Sequence, residues 1–152
     1  MKTLANEADR KQLLERLQRV RPNSLRHWGR MTSHQMLCHL TDSFKAGTGE
    51  KSAAASENLL NRTVVKWAGL YLPIPWPHGI KTRPEMDQNI GGTKPVEFEL
   101  DRAALAQMIE RFSRPQRDFE WGKHPLFGQM SDRDWHRWGY LHVDHHLRQF
   151  GE

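Results

Sequence analysis

Nine histidines and a single cysteine stand among the 152 residues. Two of the histidines, His142 and His146, sit one helical turn apart in the stretch DRDWHRWGYLHVDHHLRQF (132–150). At about 100° per residue, with Tyr140 set at zero, Val143, Leu147 and Phe150 fall at about 300°, 340° and 280° and form one apolar stripe. Asp144, Arg148 and Arg137 fall at about 40–80°, on the solvent side. His142 and His146 fall at about 200° and 240°, flanked by Trp138, Gln149 and Trp135, and His145 lies on the border at about 140°. Two imidazoles at i and i+4 on one face can chelate a single ion, although the intervening residues here carry no Glu of the helical zincin type. A third ligand must come from elsewhere, and HQMLCHLTDSF (34–44) offers one. There Met36, Leu37, Leu40 and Phe44 make a core stripe, while Gln35, His39 and Asp42 share a neighbouring polar face. Three histidines with coordination positions left for water are the arrangement of a catalytic metal site. The same spacing fits core histidines hydrogen-bonded to Gln35, Asp42 or Gln149, and on the pattern alone both readings stand.

The elements that must position these residues are helical. A first helix is expected at about 7–20, with Leu13, Leu14, Leu17 and Val20 on one side and Pro22 as its stop. A second is expected at about 33–46, opened by the capping-box spacing of Thr32 and Gln35 and closed by Gly47 and Gly49. A third begins after Asp101 as N-cap, carries Leu105, Met108, Ile109 and Phe112 at helical spacing, and ends before Pro115. A fourth is expected at about 132–150 behind the cap Ser131, with Asp134 three residues on. More than 50 residues separate helices two and three, long for a bundle connection. Within them Glu57–Leu72 reads as a short extra helix. The proline-rich LPIPWPHGIKTRPEM (72–86) reads as a strap over one end of the bundle, anchored by Leu72, Ile74 and Trp76, in preference to a polyproline ligand for a partner domain. The fold class is therefore all-α, a four-helix bundle with a long crossover between helices two and three, in one domain over 1–152.

Composition removes several alternatives. One cysteine excludes an intrachain disulfide and a Cys-based zinc finger or iron–sulfur site. Lys and Arg number 23 against 18 acids, a formal +5. The basic residues are scattered among acids, as in Asp9-Arg10-Lys11 and Asp132-Arg133-Asp134, and do not form a phosphate-tracking stripe, so no nucleic-acid partner is expected. The longest apolar run, around 64–76, is interrupted by Lys66, Pro73 and Pro75 and falls short of a bilayer span. The charged opening MKTLANEADRKQ lacks a signal-peptide core. A cytoplasmic protein without a membrane partner is the expectation.

Three stretches, WGRMTSHQMLCHLTD (28–42), PIPWPHGIKTRPEM (73–86) and HPLFGQMSDRDWHRWGYLHVDHHLRQFG (124–151), resemble the DinB-like superfamily. Within it they resemble the bacterial branch described as YfiT-like metalloenzymes. The most specific element is the Trp-Gly…Gln-Met-Leu-x-His-Leu opening paired with the closing Trp…His-x-x-x-His-x-x-Gln-Phe. The resemblance implies a four-helix bundle with a long crossover, frequently dimeric, so a homodimer is compatible with it. It also implies a divalent ion, typically nickel or zinc, on three histidines that match His39, His142 and His146. Relatives with known activity include thiol-dependent transferases, isomerases and hydrolases, and the resemblance implies no DNA binding.

An ion on neutral imidazoles keeps its full positive charge and activates bound water or a low-molecular-weight thiol toward a small-molecule substrate. Gln35, Asp42, His145 and Gln149 are the candidates to orient the imidazoles or move a proton, with Gln35 also claimed by the helix cap. Trp135 and Trp138 read as core before pocket wall, and Cys38, about 100° round the helix from His39, as a buried bystander. His34 is placed on the wet side of its helix, and His27, His78, His124 and His136 carry no signal beyond loop or surface positions. The rival reading is a non-catalytic module in which an ion fastens helix two to helix four.

Overall fold

The computed structural model describes residues 1–53 and 60–152, with the side chains of 61 and 62 outside that description. The described residues are helical and form no strand; a lone antiparallel bridge joins His124 to Gly128. The elements are α1 (Glu7–Arg19), α2 (Ser33–Gly47), a π-helical turn (Asn61–Val65) leading into α3 (Lys66–Tyr71), a 3-10 turn (Pro84–Met86), α4 (Phe98–Phe112) and α5 (Asp132–Gln149). The π turn and α3 coincide with the later part of the short helix expected over 57–72, while 57–59 lie outside the described residues.

Each long helix starts where a side chain satisfies its otherwise orphaned N–H groups. Asn6 accepts from Asp9 N at the start of α1. Thr32 and Gln35 form a reciprocal capping box on α2, and Ser131 and Asp134 do the same on α5. The start of α4 differs from expectation. Its N-cap is Glu97, whose carboxylate accepts from Glu99 N and Leu100 N, and Asp101 lies inside the first turn. The extra residues are held because Phe98 buries itself edge-on against His34, ring centroids 5.3 Å apart, while the Asp101 carboxylate is taken up by Val96 N and His34.

Both α1 and α2 pack against both α4 and α5, and α3 packs on α5. The apolar stripes read from periodicity face one shared interior: Leu13 and Leu17 of α1, Met36, Leu37, Leu40 and Phe44 of α2, Leu105, Ile109 and Phe112 of α4, Val143 and Leu147 of α5 are all fully buried. Such interdigitation requires close approach at Gly47, where a Cβ would meet the Phe112 ring at 2.9 Å. Trp135 is fully buried and Trp138 nearly so, both within this core.

The crossover does what a strap must do, with Trp76 among its anchors as expected and others that were not. Ile74 is 61% exposed, so it anchors nothing. Trp76 is half-buried and fastens the segment back on itself, its indole N–H donating to Gly69 O at 2.7 Å. Arg83 reaches Pro125 O, and Met86 is buried against α2. Asp42 then pins the segment after the 3-10 turn: its carboxylate accepts from Thr93 N (2.8 Å) and Thr93 Oγ1 (2.7 Å) and pairs with Lys51 Nζ (2.9 Å). No helix among the described residues is long and apolar enough to cross a membrane.

Candidate metal centre

α2 contributes His39 from its middle, and α5 contributes His142 and His146 from successive turns, so two crossing helices bring three imidazoles together. Each residue offers a nitrogen, and the three nitrogens lie within 4.8 Å of one another. His39 Nε2 and His142 Nε2 are 3.3 Å apart. Two nitrogens bound at about 2.0–2.1 Å to one ion in tetrahedral geometry are roughly 3.4 Å apart, so this pair already has the spacing of co-ligands. His39 and His146 are buried, and His142 is partly open to solvent.

Hydrogen bonds on the far side of two rings decide which nitrogen is free. His39 Nδ1 lies 3.0 Å from Met86 O, a pure acceptor, so Nδ1 carries the proton and Nε2 a lone pair. His146 Nδ1 lies 2.9 Å from Gln149 Oε1. The amide orientation of Gln149 is fixed because its Nε2 donates to Trp28 O at 2.7 Å, so His146 Nδ1 also carries the proton and its Nε2 a lone pair. Gly29 makes room for that amide. It sits at φ +78°, and a Cβ there would lie 2.5 Å from Gln149 Nε2. Among the described residues, the buried His142 Nδ1 has no hydrogen-bond partner, leaving that ring the least constrained of the three.

Electrostatics favour the neutral, ligand-competent rings. Burial pushes the pKa of His39 down, against the Met86 carbonyl and the charges of Asp42 and Asp87. Burial and then its histidine neighbours push His142 well below the usual range, and burial followed by His39 does the same to His146. A cluster that rejects protons while directing lone pairs into one space is suited to a metal cation.

The other sequence candidates divide. Gln149 touches a triad member directly. His145 flanks the triad, 5.3 Å from the His146 ring, and otherwise faces Trp28, Trp76 and His78; burial, followed by Arg148 and His78, lowers its pKa to about 4. Gln35 makes no bond to the histidines: its Oε1 accepts from Thr32 N and its Nε2 donates to Asn89 Oδ1. Asp42 is fully buried but is engaged with Thr93 and Lys51.

Several contributors were not visible in the sequence. Met86 O orients His39 from 47 positions away. His78, assigned no role by its loop position, stacks on Trp28 at 3.9 Å with 9° between the planes, and the pair lies beside His145. Trp76, expected only as a strap anchor, lies 5.9 Å from His142, whereas Trp138, expected beside the pair, lies 4.9 Å from it. His124, expected at a loop or surface position, lies between helices yet is buried on Phe127; its Nδ1 accepts from Leu126 N and Phe127 N, and burial lowers its pKa to about 3. His34 is half-buried and bonded to Asp101 at 2.7 Å. Two surface depressions, one of about 410 Å³ on α4 and one of about 310 Å³ between α1 and α4, are lined by none of the three histidines.

No curated protein and no solved structure matches the chain. A family model described as "Protein of unknown function (DUF1569)" matches residues 3–152, and the chain belongs to that family.

Proposed function

We propose that the protein is a divalent-metal-dependent enzyme of DinB-like type, a four-helix bundle of α1, α2, α4 and α5 whose ion is held by His39, His142 and His146. One observation carries the reading: the hydrogen bonds of Met86 O and Gln149 fix two tautomers so that the Nε2 lone pairs are left for the ion, with His142 Nε2 at co-ligand distance from His39 Nε2. Nickel or zinc suits an all-imidazole donor set. When bound, such an ion supplies the Lewis acidity that activates water or a low-molecular-weight thiol near neutral pH, the chemistry of a hydrolase or a thiol transferase acting on a small molecule.

The chain's own residues define the rest. Met86 and Gln149 hold two rings at fixed orientation. Trp138 backs His142, and Trp28, Trp76, His78 and His145 border the partly open side on which a substrate approaches. The burial of His39 and His146 favours a second reading, in which the ion only fastens α2 to α5.

The two readings separate in one titration. Protein purified without a histidine tag should contain nickel or zinc, one equivalent of which the double variant His39→Ala/His142→Ala lacks. Adding a low-molecular-weight thiol to the nickel-loaded protein should change its visible absorption, because a coordination position is open. A loaded protein whose spectrum ignores thiols, azide and pH supports the fastening role and refutes the enzyme reading.

A further inference from the structure

A second group of metal-ligating side chains lies on α2 outside the triad. His34 and Cys38 stand one turn apart on that helix, and Asp101 faces them from the first turn of α4. Their donor atoms, an imidazole nitrogen, the thiol sulfur and a carboxylate oxygen, all lie within 4.8 Å of one another. Within that group His34 Nε2 is 2.7 Å from Asp101 Oδ2. We propose that His34, Cys38 and Asp101 form a second, separate metal site, one that takes a zinc-class ion through nitrogen, sulfur and oxygen donors.

The donor chemistry selects the ion. A thiolate with an imidazole favours zinc and its borderline-soft neighbours over magnesium and calcium, which take oxygen ligands. Thiolate and carboxylate together carry two negative charges, which cancel those of a divalent cation beside a neutral imidazole. No net charge is then left at the half-buried seam between α2 and α4. Binding replaces the His34–Asp101 hydrogen bond by bonds to the ion and releases the thiol proton to solvent.

The scaffold is already rigid. The i, i+4 spacing fixes His34 against Cys38, and the Phe98 ring supports His34 edge-on. Val96 N donates to the Asp101 carboxylate, orienting it as outer hydrogen bonds orient metal ligands. Cys38 is 3% exposed, whereas the side chains of His34 and Asp101 are 23% and 22% exposed, so the ion would sit with sulfur inward and its remaining positions toward water. Three protein ligands describe an exchangeable site rather than a closed structural one. The seam it spans is the α2–α4 contact, and α2 also carries His39, so an ion here braces the helix that presents a ligand to the triad.

Cobalt distinguishes this site from the triad because only one of the two contains sulfur. Chelator-stripped protein titrated with cobalt(II) should develop a near-ultraviolet thiolate-to-cobalt charge-transfer band as one equivalent binds. Cys38→Ser should abolish the band and that equivalent. His34→Ala and Asp101→Asn should each weaken the affinity read from the band by about tenfold or more. His142→Ala should remove the other equivalent and leave the band intact, so failure of the triad and failure of this site are told apart. Circular dichroism on each variant confirms that the helices remain. A wild-type protein that reaches cobalt saturation without a thiolate band overturns the proposal, as does a band whose affinity is unchanged in both His34→Ala and Asp101→Asn.

Discussion

Replacing Gln149 isolates the hydrogen bond that holds His146 in register. The side chain is 4% exposed and makes two hydrogen bonds, a buried one accepting from His146 Nδ1 at 2.9 Å and a part-buried one donating to Trp28 O at 2.7 Å. Gln149→Leu keeps the bulk and removes both. His146 can then adopt either tautomer, and a partner of this kind is worth about 10–100-fold in metal affinity, or about 1.4–2.7 kcal/mol. The metal-free protein loses stability as well, since the buried His146 N–H is left unpaired at about 1–3 kcal/mol and the part-buried Trp28 carbonyl at less. Gln149→Glu keeps an acceptor for His146 and forfeits the bond to Trp28 O. It should therefore lose stability while retaining or raising affinity, because a carboxylate makes the imidazole a better donor to the ion. Competition against a chromophoric chelator reads the affinity, and urea midpoints of the stripped proteins read the stability. A Leu variant that binds metal within twofold of wild type refutes the orienting role. Equal weakening in the Leu and Glu variants assigns the effect to packing.

Three further outcomes follow from the structure. His124 has a folded pKa of about 3 against an ordinary 6.5, so below pH 6.5 the unfolded chain takes a proton that the folded chain refuses, and stability falls by about 1.4 kcal/mol per pH unit as pH drops from 6.5 toward 3. His124→Asn, which keeps an acceptor for Leu126 N and Phe127 N, should remove that share of the slope in pH-dependent urea midpoints, and an unchanged slope contradicts the assignment. Burial and the neighbouring Asp101 push the Cys38 thiol up to about 12, so the metal-stripped native protein should react far more slowly with thiol reagents at pH 8 than the urea-unfolded chain does; equal rates contradict its burial. Gly29→Ala should cost at least about 1 kcal/mol of stability and weaken metal binding, because φ is positive there and the added methyl displaces the Gln149 amide; wild-type metal affinity would contradict that coupling.

Much of this was legible in the sequence because the relevant information is local. The capping boxes at Thr32 and Ser131 lie within one turn, and the i, i+4 pair His142 and His146 follows from helical period alone. The boundary of α4 was less legible. Asp101 is the better cap by residue type, yet the helix starts at Glu97 because Phe98 and Asp101 find His34 on another helix. Long-range partners leave still less trace. The role of His78 depends on a crossover that lays it on Trp28, and Met86 acts through its backbone carbonyl, which any residue could supply. Asp42 shares a helical face with His39 yet turns to Thr93, because a buried carboxylate takes the nearest donors that the strap provides.

The central claim is that His39, His142 and His146 hold one ion. Anomalous X-ray scattering at the metal absorption edge, from crystals of protein loaded with nickel or zinc, tests it most directly. The account predicts a peak about 2.0–2.1 Å from an imidazole nitrogen of each of the three residues. A fully loaded crystal with no peak among those nitrogens, or with metal on other side chains alone, would contradict it.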